Sequence, residues 1–289
     1  MSTDSDSSKK ARRDHAREIA RLEREREKKR RTRNRIFVQG GVVLGVLAIA
    51  LVGVLIFQSA TKSTAPHAGP KNMISDGIVF AGVDGTATPV STGSIPVDGK
   101  PTATAGDATD GIAAVVTYVD WTCPNCQSFE ATYADQLAGL VASGTATLEV
   151  HPIAILDGSY VGSRYSSRAA NAAACVANFA PDKFLDAQAA MYLKQGVEGT
   201  TGLSNSEIKT IISDAGVTSS DVASCIDDET FASWVTDSTA RATGDATLAD
   251  PTSGRFGTPT VTINGVRWDG SVDLLTAIAD AGAAEKAAN

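Results

Sequence analysis

The chain has 289 residues, of which 43% are hydrophobic and 20% charged, enough for one or two domains. Its net charge of −7 is split: residues 1–35 carry 14 Lys/Arg and 7 Asp/Glu, a net +7, while the remaining 12 basic and 26 acidic residues stand at −14. An acidic body of this kind lacks the electrostatic footprint for nucleic acid, so no nucleic-acid partner is expected for it.

The N-terminal segment cannot be globular. From Arg12 to Arg35 a helix is possible, but Ile19 and Leu22 are nearly its only apolar residues, so it has no face to bury. It reads as a basic cytoplasmic tail. Lys28-Lys29-Arg30-Arg31, with Arg33 and Arg35, can bind anionic lipid head groups or nucleic acid, and the segment that follows favours lipid. Ile36 to Phe57 is free of charge and rich in Val, Leu, Ile, Ala and Gly. As a helix these residues reach ~33 Å, the thickness of a bilayer core. They are expected to form a single transmembrane helix at 36–57, and the basic flank places everything C-terminal to it outside the cytoplasm. A cleaved signal peptide is the alternative, but its apolar region would be shorter, and Gln58-Ser59-Ala60 does not open on a small residue as a cleavage site would.

Residues 58–73, rich in Ser, Thr, Ala, Pro and Gly, read as a flexible tether. Ile78-Val79-Phe80-Ala81-Gly82 reads as a first strand with Asp84-Gly85 as a turn, and residues 91–110 as a loop. Ile112 to Val119 is short, β-branched and uncharged, the pattern of a strand buried on both faces.

That strand leads into Cys123-Pro124-Asn125-Cys126. Behind the pair, Phe129, Tyr133, Leu137, Leu140 and Val141 recur at helical spacing with Cys126 on their side. The pair therefore sits where a buried strand feeds a helix, at a terminus whose free N–H groups and dipole stabilise an anion. Cys123, in the first turn and facing out, is expected to be the acidic, attacking thiol, and Cys126, turned inward, the resolving one. A metal site would need four ligands, yet the other cysteines are isolated and His15, His67 and His151 fall at no ligand-like spacing. An inert disulfide staple is the remaining alternative. Thiol–disulfide chemistry is the reading adopted, with no metal and no other cofactor.

Thr147 to Ile153 reads as another strand, with His151 structural beside Pro152. A helical block follows at about 160–245. Ser163 is placed as the cap of a helix carrying Tyr165, Ala169, Ala172, Val176 and Phe179, and a second helix after Pro181 carries Phe184, Met191 and Tyr192. Ser204 and Glu207 form a capping-box pattern with Gly216 as the stop. Cys175 and Cys225 both fall in this block, as two buried thiols or as a bridge. An oxidising compartment favours the bridge.

Further on, Phe256-Gly257-Thr258-Pro259 opens the β-branched run Thr260 to Ile263, so Pro259 marks a strand start, an edge or a cis bond. Asn264-Gly265 is a two-residue hairpin signal between Val261/Ile263 and Val266/Trp268.

Together, the segment from Tyr118 to Glu130 around Cys123-Pro124-Asn125-Cys126 and the Thr258-Pro259 stretch resemble the DsbA-like branch of thioredoxin-fold proteins, over residues 74–285. The resemblance implies an α/β thioredoxin-like fold with an inserted α-helical domain, here preceded by the transmembrane helix. It implies an extracytoplasmic thiol–disulfide oxidoreductase, acting on thiols or disulfides of exported proteins and exchanging electrons with an unidentified membrane redox partner. Cys123 would attack and Cys126 resolve, while Pro124, Asn125, Thr258 and a cis Pro259 would line the substrate chain. Glu130 falls where this branch often places an acid beneath the site. In two respects the chain departs from strongly oxidising members: Asn125 stands where they carry histidine, and Thr258 before Pro259 is also common in isomerase-like and reductase-like relatives.

Overall fold

The computed structural model describes residues 68–104 and 111–288. The predicted basic tail and the apolar stretch 36–57 lie outside the described residues; among the described residues no helix is long and apolar enough to cross a membrane. The predicted tether at 58–73 requires a correction at its C-terminal end. Met73 is fully buried, Gly69 N–H donates to the Ile95 carbonyl at 2.8 Å, and Asn72 Nδ2 donates to the Ala177 carbonyl at 2.8 Å. Tertiary hydrogen bonds here override a composition that reads locally as linker.

A six-stranded sheet carries the fold, in the order β2-β1-β4-β3-β5-β6. β3 (Ala113–Val119) is central, parallel to β4 (Ala146–Pro152) and antiparallel to β5 (Thr260–Ile263). Its uncharged, β-branched sequence suits that position, because a central strand is covered on both faces. β1 (Ile78–Val83) joins β4 on one side and on the other pairs with β2 (Thr86–Pro89), across the Asp84-Gly85 turn. Sequence reading found that turn but not β2, whose Thr-Ala-Thr-Pro is too short and too polar to announce a strand. β5 and β6 (Val266–Arg267) form the expected hairpin. Asn264 and Gly265 both take positive φ, 50° and 78°, the pairing that a tight hairpin turn demands.

On one face lies α1 (Pro124–Ala142), burying Cys126, Phe129, Leu137 and Val141 against the sheet. α7 (Leu274–Ala288) packs against β3 and β5, with Leu274 and Ile278 in the same apolar cluster as the buried side chains of α1, and its Gly282 allows close approach to the Gly111 backbone: a Cβ there would meet the Gly111 carbonyl at 2.8 Å. Between β4 and β5 stand five helices, α2 (Tyr165–Phe179), α3 (Phe184–Leu193), α4 (Asn205–Asp214), α5 (Ser220–Asp228) and α6 (Ala232–Gly244). The Ser204/Glu207 capping box forms as the pattern indicates. Ser163 is not the cap of α2: Arg164 occupies that position in a left-handed conformation, and the Ser163 hydroxyl is buried without a partner. Cys175 in α2 and Cys225 in α5 form a disulfide with Cα atoms 5.8 Å apart, closing a separation of 50 residues. A bridge of that span stabilises by about 4 kcal/mol in the chain-entropy model.

Candidate active site

The end of β3 and the start of α1 are joined by Asp120-Trp121-Thr122-Cys123. Asp120 carbonyl accepts the Cys123 N–H at 3.0 Å, closing a tight turn, and Cys123 becomes the extended N-cap of α1 with Pro124 in its first turn. Proline suits that place because the first helical N–H has no intrahelical partner to lose.

Cys123 and Cys126 both carry free thiols, and both are buried. Cys123 was expected to face solvent; it is only 5% exposed, because the Thr258 backbone lies over it and its Sγ–H reaches the Thr258 carbonyl at 3.4 Å. Pro124 and Asn125 are the exposed members of the motif. The Thr258-Pro259 peptide is cis and sits immediately before β5, which pairs directly with β3. Sheet pairing thus brings residues 135 positions apart into contact at the sulfur.

The two thiols are electrostatically unequal. Cys123 is pulled down to about 6, first by a hydrogen bond from Cys126, with the Thr258 side chain and the backbone N–H groups of Cys126 and Asn125 adding to it against the opposing cost of burial. Burial pushes Cys126 well above its ordinary value, and its interaction with Cys123 pushes it further. The pair therefore favours one thiolate, on Cys123.

About one helical turn after Cys126, Glu130 lies on α1 in the lining of a cavity of about 260 Å³, shared with Val119, Leu137 and Val150 and, from α3, with Leu185 and Gln188. Burial raises Glu130 to about 7, opposed by a 3.0 Å hydrogen bond from Gln188 Nε2. Gln188 Oε1 in turn accepts from Trp121 Nε1 at 3.1 Å, which links the acid to the turn before Cys123.

Asp120, Tyr160, Gln188 and Tyr192 are not read as site residues from the sequence, where Gln188 and Tyr192 enter only as positions of the helix after Pro181. Tyr160 and Tyr192 donate to the carbonyls of Thr122 (2.8 Å) and Asp120 (3.4 Å). A local signal existed only for Asp120, since an aspartate two residues before a threonine can close a turn on the backbone. His151 packs at 4.6 Å against Tyr118 and bonds Glu149 at 2.9 Å, away from the thiols. No group of three or more metal-ligating side chains occurs among the described residues.

A strand–Cys-X-X-Cys–helix unit facing a cis-proline loop, with a helical block inserted beside it, is the arrangement of a DsbA-like thiol–disulfide oxidoreductase. The thioredoxin family profile matches residues 102–279, and the chain belongs to the thioredoxin family. Among solved structures, oxidised DsbA from Mycobacterium tuberculosis is 25% identical, covering 73% of this chain and 98% of that one at a TM-score of 0.53. The reduced form of the same protein aligns at 24% identity, 74% and 98% coverage, and a TM-score of 0.52. No curated protein matches the sequence.

Proposed function

We propose that this DsbA-like oxidoreductase introduces disulfides into exported proteins through a Cys123–Cys126 redox pair, anchored in the cell membrane by residues 36–57 with its N-terminus in the cytoplasm. The observation that carries this reading is the inequality of the two thiols, Cys123 lowered to about 6 and Cys126 raised. Stabilising the Cys123 thiolate favours the reduced enzyme, and an enzyme that gains on reduction is a disulfide donor.

In that direction a substrate thiolate attacks Cys123 Sγ of the enzyme disulfide. The Cys123–Cys126 bond breaks, Cys126 leaves, and a mixed disulfide joins substrate to Cys123. A second substrate thiolate then attacks the substrate sulfur of that bond. The substrate disulfide forms, Cys123 departs as thiolate, and two electrons have passed to the enzyme. Cys126, the more basic sulfur, takes up a proton as it leaves, and Glu130, protonated up to about pH 7 in the cavity that it lines, is suited to modulate that step. Thr258 and Pro259 would hold the substrate main chain, with exposed Pro124 and Asn125 on its other side. A membrane redox partner would return the thiols to the disulfide.

A reductase or isomerase is the second reading, favoured by Asn125, whose neutral amide supplies no positive charge to the thiolate. The deciding measurement is the reduction potential of the Cys123–Cys126 couple against glutathione. A value near about −120 mV is expected of a disulfide donor, and one near about −270 mV overturns the oxidising direction in favour of the reductase.

A further inference from the structure

The strand-to-helix turn that presents Cys123 contains a carboxylate that the exchange chemistry does not use. Asp120 is completely buried. Its Oδ1 accepts the Thr122 N–H at 2.9 Å and the Thr122 hydroxyl at 2.7 Å; its Oδ2 accepts the Ile155 N–H at 3.0 Å and the Ser166 hydroxyl at 2.6 Å. Those donors come from the catalytic turn itself, from the strand exit after β4, and from the first turn of α2. No ion pair involves Asp120 among the described residues. A buried charge without a cation is costly, and an apolar residue of similar volume would fill the space as well. What the carboxylate supplies is geometry: four donors from three separate segments, all converging on one side chain.

We propose that Asp120 is a positioning residue for Cys123, its carboxylate locking the turn ahead of the nucleophile to the helical insertion so that the sulfur stays within reach of the donors that stabilise its thiolate. The inference rests on the redox reading of the Cys123–Cys126 pair. The same turn is held from the insertion by its carbonyls too. The Asp120 carbonyl accepts from Tyr192 Oη at 3.4 Å, the Trp121 carbonyl from Gln195 Nε2 at 3.0 Å, and the Thr122 carbonyl from Tyr160 Oη at 2.8 Å. With both sides of the turn fixed, the backbone of Cys123 has one orientation, φ −86° and ψ 123°, and its sulfur has one set of neighbours. Those neighbours are short-range donors, so a shift of roughly half an ångström in the turn is enough to lose them. Asp120 thus acts on acidity through the position of another residue. Acting as a charge it would do the opposite, because a nearby anion disfavours a thiolate.

The sign separates the two mechanisms. In the full-length chain, Asp120→Ala frees the turn and is expected to raise the Cys123 pKa, so that the thiolate present at pH 5, read by ultraviolet absorbance and by alkylation rate, falls about tenfold. Asp120→Asn keeps an oxygen for Thr122 but sets an N–H against that of Ile155, and is expected to give a smaller loss in the same direction; it carries the test if the alanine variant does not fold. The control is Asp76→Asn, which weakens another buried carboxylate, held by Arg241 at 2.6 and 2.7 Å and by Trp234 at 3.1 Å, and is expected to lower the unfolding midpoint with no change in Cys123 acidity. Variants at Asp120 that lose stability while Cys123 titrates as in wild type overturn the proposal, as does a fall in its pKa. A wild-type chain without thiol–disulfide turnover and with an ordinary Cys123 pKa overturns the redox reading itself, and the positioning role with it.

Discussion

The molecule contains two pairs of cysteines that differ in every respect that decides reactivity. Cys123 and Cys126, with two residues between them, sit at a strand–helix junction, unbonded, under a loop whose Thr258 carbonyl lies 3.4 Å from the Cys123 sulfur. Cys175 and Cys225 are 50 residues apart, bonded, and enclosed at 0% and 4% exposure between α2 and α5. Neither of the latter occupies a helix N-terminus with a second cysteine within a turn, the placement that sets Cys123 apart. The first pair is built to exchange electrons, and the second to shorten the unfolded chain. Burial alone does not separate them, since all four sulfurs are inside. The neighbours of each sulfur do.

The comparison breaks most sharply at the nucleophile. Cys123→Ser removes the attacking sulfur, and oxidation of a dithiol peptide is expected to fall by at least about 10³-fold while the unfolding midpoint moves little, since a serine hydroxyl can still donate to Thr258. A wild-type chain that oxidises no dithiol, with a Cys123→Ser variant that still holds the same partner, would move the protein to the class of non-catalytic membrane-tethered binding modules with a thioredoxin fold. The reciprocal change is Cys175→Ala with Cys225→Ala. Loss of the bridge is expected to cost about 4 kcal/mol in urea unfolding, with turnover retained wherever the chain remains folded. If that double variant lost activity at temperatures where its circular dichroism is native, the second pair would be part of the redox circuit.

What was legible in the sequence follows the range of the interactions involved. The β3–α1 unit announces itself through a run of β-branched residues and a helical period, and the β5–β6 hairpin through Asn264-Gly265, all within a few residues of one another. The capping box of α4 is equally local. Asp120 escaped notice because half of its partners, Ile155 and Ser166, are 35 and 46 positions away. The burial of Cys123 depends on a loop more distant still. At Ser163 the local rule named the right kind of residue, but the chain enters α2 through a left-handed Arg164. Met73 shows the same limit in reverse, a segment of linker composition docked by partners that no window around it contains.

Glu130 sharpens the difference, because it lies on the helix that carries only one of the pairs. Its folded pKa of about 7 lies above the ordinary 4.5, so between those values the folded chain holds a proton that the unfolded chain has released. Stability is therefore full below pH 4.5 and falls as the pH rises toward 7, by about 3 kcal/mol at most. Glu130→Gln cannot ionise and is expected to flatten that slope, leaving the variant more stable than wild type at pH 7.5 and nearly equal to it at pH 4.5. Unfolding of both proteins at the two pH values measures this directly. Parallel slopes would place Glu130 in contact with solvent and remove it from the site.

The smallest expected effect tests the inequality within the reactive pair. With Cys123 at about 6, its thiolate fraction rises about tenfold from pH 5 to pH 7, and the alkylation rate of the reduced protein should rise with it and level off above pH 7. Cys126, pushed the other way, should remain unmodified across the same range, so that a single adduct forms. The two sulfurs share a helix turn, but Cys126 is the more deeply buried and more donors reach Cys123. A rate still climbing tenfold per pH unit beyond pH 7 would mean that the donors around Cys123 do not offset its burial. The two thiols would then be alike, and the contrast with Cys175 and Cys225 would reduce to whether the bond is open or closed.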